Sequence, residues 1–111
     1  MLIRGDVYAV PTARGARGHE QRGPRLGVVV QADDLQLSTV MLAPTSRSAP
    51  PRIFRPEVQI AGERTCVLVE QLRTLDVGRL GPLVGHLDLE DQRSVDLALE
   101  LVLGLDRPGL G

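Results

Sequence analysis

Apolar positions along the chain come in short runs of four to seven residues separated by polar, glycine-rich or proline-rich punctuation, and only the last third shows a helical period. Residues 5–10 predict a first strand containing Tyr8. A β-branched run, Leu26-Gly27-Val28-Val29-Val30-Gln31, predicts a buried second strand, and Asp33-Asp34 a turn before a third over residues 37–43. The three prolines of Pro44-Thr45-Ser46-Arg47-Ser48-Ala49-Pro50-Pro51 predict irregular structure, because each removes a donor and fixes φ. Residues 53–60 read as an edge strand interrupted at Arg55-Pro56, then Ala61-Gly62-Glu63 as a turn, then residues 65–72 as a second strongly apolar strand. One helical turn at 77–80 and a short strand at 83–87 follow. Asp88 suits the N-cap of a helix over residues 89–103 that Gly104 ends, with Val95, Ala98, Leu99 and Val102 on one face. The fold class expected is mainly β, five to seven strands with a C-terminal helix.

With 111 residues, this pattern fits one domain spanning 1–111, the last few residues forming a flexible tail. Tyr8 and Phe54 are the only aromatics, so the core must be built from aliphatic side chains. A single cysteine, Cys66, permits no intrachain disulfide and reads as a small buried apolar residue. No apolar run is long enough for a membrane span, and polar residues by position 4 leave no room for a signal-peptide core; a cytoplasmic, non-membrane location is the expectation.

Net charge is −1, but its distribution is uneven. Arginines at 4, 14, 17, 22, 25, 47, 52 and 55 face only four acids in the first half, whereas the second half is acidic. Every basic residue is arginine, and those of the first half gather in 14–25 and 47–55. Arginine forks onto phosphate oxygens, so these segments favour a polyanionic ligand without identifying it.

Three segments could carry chemistry. Gly18-His19-Glu20-Gln21-Arg22-Gly23-Pro24-Arg25 places an imidazole, a carboxylate and two guanidiniums in a loop that runs into the second strand; on spacing alone it could equally be a solvated loop. Thr45, Ser46 and Arg47 at a strand end could hold a phosphate or simply cap a turn. In Val69-Glu70-Gln71-Leu72-Arg73-Thr74, regular strand geometry would point Glu70 and Gln71 to opposite faces, one of them inward or into a groove. His19, His86 and Cys66 do not show metal-ligand spacing, and neither a phosphate-binding loop nor a dinucleotide fingerprint is present, so no metal and no cofactor are expected.

In order along nearly the whole chain, these pieces resemble the MazF/PemK toxins of type II toxin–antitoxin systems. Arg4-Gly5-Asp6-Val7-Tyr8, the 18–25 loop, Gly27-Val28-Val29-Val30-Gln31, Ala43-Pro44-Thr45-Ser46, Val69-Glu70-Gln71-Leu72-Arg73-Thr74-Leu75-Asp76 and Leu83-Val84-Gly85-His86-Leu87 each match a family segment. The resemblance implies a small bent antiparallel SH3-like barrel of the MazF/CcdB/Kid toxin fold, paired as a homodimer. It also implies metal-independent, sequence-specific cleavage of single-stranded RNA through a 2′,3′-cyclic phosphate, restrained by a cognate antitoxin, MazE-like or other. On it, Arg25, Thr45 and Glu20 are catalytic, and His19, Gln21, Ser46, Arg47, Glu70 and Gln71 contact substrate. The general base could be Glu20 or His19. One departure stands out: the family usually has proline after the catalytic arginine, whereas Leu26 follows here and Pro24 precedes. Two alternatives share the pattern. A gyrase-poisoning toxin of CcdB type would need a tryptophan-containing tail, and the chain has no Trp. A catalytically inactive RNA- or antitoxin-binding homologue would lean on aromatic stacking, which two aromatics serve poorly.

Overall fold

The structure, a computed structural model, describes residues 1–11 and 25–107. Its strands are β1 (Asp6–Val10), β2 (Arg25–Val29), β3 (Thr39–Ser46), β4 (Glu57–Ile60), β5 (Glu63–Val67), β6 (Arg73–Asp76) and β7 (Leu83–His86), followed by helix α1 (Leu89–Val102). All pairings are antiparallel, in the order β4-β5-β3-β2-β1-β7, with β6 added on β3. The two ends of this path curl together: a methyl-sized group at Gly85 of β7 would come 4.0 Å from Ile60 Cγ2 of β4. The result is a nearly closed small barrel with one helix laid on it.

Alternation decides what each face of the sheet buries. Val7, Val28, Ala43 and Val67 point to one side, where Val58, Ile60, Val69 and Leu87 join Val95 and Ala98 of α1 in a core. Val10, Val29, Val40, Leu42 and Leu75 point to the other and form a second cluster with Leu2, Tyr8, Val77 and Leu80. Helix α1 begins where expected, the Asp88 carboxylate accepting the Asp91 N–H at 2.8 Å. Gly104, at φ +72°, follows its end. Val102 alone of the predicted apolar face stays exposed.

Three expectations need correction. Residues 44–46 are not irregular, because β3 continues through Ser46. Pro44 is tolerated there because its carbonyl still accepts the Leu68 N–H at 2.8 Å, while the Leu68 carbonyl, which proline cannot serve, takes the Gln71 N–H at 2.9 Å instead. The edge strand starts at Glu57, not residue 53: residues 52–55 close a tight turn, with Arg52 and Arg55 exchanging both backbone hydrogen bonds. The apolar strand predicted over 65–72 ends at Val67, and Val69–Gln71 form a 3₁₀ turn. The third follows from register. Thr45 pairs with Val67 and Leu42 with Arg73, so β3 spends two residues between those pairs while the opposite chain spends five. The three surplus residues bulge out of the ladder. Val69 plugs the core beneath α1, and Glu70 and Gln71 are left at the surface.

Candidate functional site

Arg25 opens β2, paired with Val10 of β1, and is half-buried. On its other side the β2–β3 ladder ends at Gly27–Pro44. Arg25 and Ser46 each lie two residues past that last pair, and Thr45 one. The three therefore gather at the same end of two neighbouring strands, where β3 leaves β2 and takes up β5. Alternation puts Thr45 on the face it shares with Val67, and Ser46 on the face that Arg25 continues. A group touched by both Arg25 and Thr45 must lie at the rim formed by the strand ends, not above either face.

Burial and bonding separate these residues. Thr45 and Ser46 are 6% and 8% exposed. Ser46 Oγ accepts the Ala49 N–H at 3.1 Å and lies 3.3 Å from Ser48 Oγ, a local turn that holds the start of the 47–56 loop. Cys66 Sγ donates to the Ala49 carbonyl at 3.3 Å and ties the same point from below. Among the described residues nothing hydrogen-bonds the Thr45 hydroxyl, and the Arg25 guanidinium has no ion pair. Four other arginines are engaged, Arg4 with Asp96, Arg47 with Glu63, Arg55 with Glu70 and Arg64 with Glu57. Arg73, half-buried like Arg25, has no ion pair among the described residues either, so it is the place of Arg25 at the Thr45 strand end that sets it apart.

Of the other expected contacts, Arg47 sits on the exposed pair with Glu63 at 2.7 Å, its side chain 75% accessible. Glu70 and Gln71 are held together on the 3₁₀ turn, not on opposite faces of a strand. Gln71 Nε2 lies 3.4 Å from Glu70 Oε2, the oxygen that also takes hydrogen bonds from Arg55 Nε and Nη2 at 2.8 and 2.6 Å. Those Arg55 bonds hold the Glu70 carboxyl below its ordinary pKa, against a smaller opposing effect of burial. Glu70 is thus a poor proton acceptor near neutrality. His19, Glu20 and Gln21 lie outside the described residues. The reading from sequence missed Arg55 as a partner of Glu70; fifteen residues separate them, and no local pattern announces the contact. Among the described residues no group of three or more His, Cys, Asp or Glu side chains is placed to hold a metal ion, and no helix is long and apolar enough to cross a membrane.

Residues 3–103 match the profile of the PemK-like, MazF-like toxins of type II toxin–antitoxin systems. The chain belongs to this family. A Mycobacterium tuberculosis relative, the candidate toxin Rv3098A, is 42% identical over 106 residues, which is 95% of this chain and 100% of the relative. Among solved structures, a mycobacterial endoribonuclease in complex with its cognate antitoxin superposes with a TM-score of 0.80 at 17% identity, over 97% of this chain and 100% of that one. The Mycobacterium tuberculosis toxin MazF-mt6 gives 0.72 at 15%, over 92% and 99%. MazF from Deinococcus radiodurans gives 0.70 at 22%, over 93% and 96%. At these identities the superpositions establish the shared fold: the PemK/MazF barrel with its C-terminal helix.

Proposed function

We propose that this PemK/MazF-family toxin is a sequence-specific, metal-independent endoribonuclease that cuts single-stranded RNA. The observation that carries the proposal is the half-buried Arg25, without an acid partner among the described residues, at the strand end it shares with Thr45 and Ser46. Burying part of a guanidinium without a counter-charge is costly unless an anion arrives to complete the site. A phosphodiester at the rim would be that anion.

In the mechanism this suggests, the 2′-hydroxyl preceding the cut attacks the phosphorus and loses its proton to Glu20 or His19. Negative charge grows on the non-bridging oxygens, where Arg25 opposes it and Thr45 Oγ donates a hydrogen bond. The bond to the 5′-oxygen breaks and that oxygen takes a proton from water, leaving a 2′,3′-cyclic phosphate and a 5′-hydroxyl. Gln21, Ser46, Arg47 and Gln71 would line the path of the flanking nucleotides.

The named mycobacterial and Deinococcus neighbours include toxin–antitoxin complexes. We extend that arrangement to this chain: a cognate antitoxin lays an acidic tail over the arginines that would otherwise meet RNA, on a cytoplasmic homodimer. The direct test is to incubate the purified protein with RNA and excess chelator and to map the ends. New 5′-hydroxyl ends at one short sequence motif are expected, and their loss on adding antitoxin. Intact RNA, or cutting that needs a divalent cation, sinks the proposal.

A further inference from the structure

Loop 47–56 is fastened at both ends. Ser46 and Cys66 hold Ala49, Pro50-Pro51 stiffens the middle, and the Arg52–Arg55 turn presents Ile53, 79% exposed, and Phe54 at its tip. The far end is fixed by Arg55. Its guanidinium stands 5.6 Å over the Phe54 ring and donates twice to Glu70 Oε2. Both side chains are only about a quarter accessible, 27% and 26%. The neighbouring Arg47–Glu63 pair, at 75% and 61%, is open to water and screened. Glu70 in turn stands on the three-residue bulge beside Gln71. One ion pair therefore sets the distance between an apolar loop tip and an amide, both near the Thr45 end of β3.

We propose that Arg55 and Glu70 form a clasp that holds the 47–56 loop against the 69–71 turn, and that the gap so fixed, between the Ile53 and Phe54 tip and Gln71, selects which nucleotides can flank the cut. The inference rests on the nuclease reading above. Its ligand chemistry is an unpaired nucleobase: the exposed Ile53, beside a half-buried Phe54 ring that Arg55 covers on one face, offers an apolar surface to a base plane, and a carboxamide can read the donor and acceptor edge. Arg55 and Glu70 are positioning residues here. Their charges satisfy each other and act on RNA only through the loop they hold.

The test compares full-length wild type with Arg55→Ala, Glu70→Ala and the charge-exchanged double variant Arg55→Glu/Glu70→Arg. Cleavage sites are mapped across a randomised RNA pool, and amide exchange is followed at residues 52 and 55. Each single variant is expected to broaden the motif in the same way and to speed loop exchange about two- to fivefold, the range a partly exposed ion pair supports. The exchanged pair restores both. An unchanged motif overturns the proposal. So does a loss seen with Arg55→Ala alone that the exchanged pair cannot restore, which would make Arg55 a direct phosphate contact. Should the alanine variants fail to fold by thermal melt, Arg55→Lys and Glu70→Gln carry the same comparison. A wild type that cuts no RNA defeats the nuclease reading and the selection with it, while the exchange measurement still decides whether the clasp exists.

Discussion

Asp6 and His86, eighty residues apart in sequence, face each other across the β1–β7 ladder with Oδ1 and Nδ1 2.7 Å apart. Asp6 is 9% exposed, and its second oxygen accepts the Ile3 N–H at 3.2 Å. Gln92 of α1 reaches both His86 Nε2 and the Leu87 carbonyl. This cluster pins the first strand, the last strand and the helix together, at the opposite end of β1 from the Val10–Arg25 pair. Asp6→Ala removes the partner of His86 Nδ1 and of the Ile3 amide, both of which water can reach, so it is expected to cost about 0.5–1.5 kcal/mol in urea unfolding, the net worth of an ordinary hydrogen bond. Cleavage per folded molecule should be unchanged. A stable variant with lost activity would move the dyad into the chemistry.

Arg25→Ala should lower cleavage by on the order of 100-fold or more, the usual consequence of removing a preorganised donor from a developing oxyanion. Folding should hardly change, because among the described residues the guanidinium makes no bond that the mutation breaks. Thr45→Val is the matching probe on β3: it keeps the volume of a buried residue and removes only the hydroxyl. Urea midpoints close to wild type with cleavage gone are expected for both. A Thr45→Val protein with full activity removes the hydroxyl from the mechanism.

Local pattern carried much of this molecule. The strand around Val28, the Asp88 cap and Gly104 were readable because each depends on neighbours a few residues away. The apolar run over 37–43 put Thr45 at a strand end, but the prolines argued that the strand had already stopped there, since propensity could not foresee that Leu68 would pair with Pro44 and let β3 run on through Ser46. The bulge at 69–71 was hidden for a deeper reason. Its three extra residues exist only relative to β3, and register between distant strands leaves no periodic trace. Arg55 and Glu70 likewise become partners only after β3–β5 and β3–β6 pairing has brought their segments together.

The Glu70 clasp carries a pH signature. Its carboxyl is held below the ordinary glutamate value by the Arg55 hydrogen bonds, so a depressed folded-state pKa is in play. A group of this kind contributes stability that is fully present above the unfolded pKa, near 4.3, and is lost as pH falls through the folded value. The stability difference between wild type and Arg55→Ala should therefore persist from pH 7 down to about 5 and vanish at lower pH. Carbon-detected titration of Glu70 should show its midpoint rising toward the ordinary value in Arg55→Ala. A midpoint unmoved by the mutation would mean that the contact does not form in solution.

The β4–β5 hairpin turns through Ala61 at φ +50° and Gly62 at φ +80°. Two consecutive positive φ values are the signature of a type I′ turn, which matches the twist of the flanking strands and favours Asn-Gly. Alanine is a poor occupant of its first position, because its Cβ crowds the following carbonyl by roughly 1–2 kcal/mol. Asparagine tolerates that region far better. Ala61→Asn is therefore expected to stabilise the protein by about 0.5–1 kcal/mol, raising Tm by a few degrees. Ala61→Pro, with φ locked near −65°, should destabilise by more than that. The two changes lie at an exposed hairpin tip, so opposite shifts in Tm can only report the backbone. If Asn lowers Tm as Pro does, the hairpin is closed by some other turn.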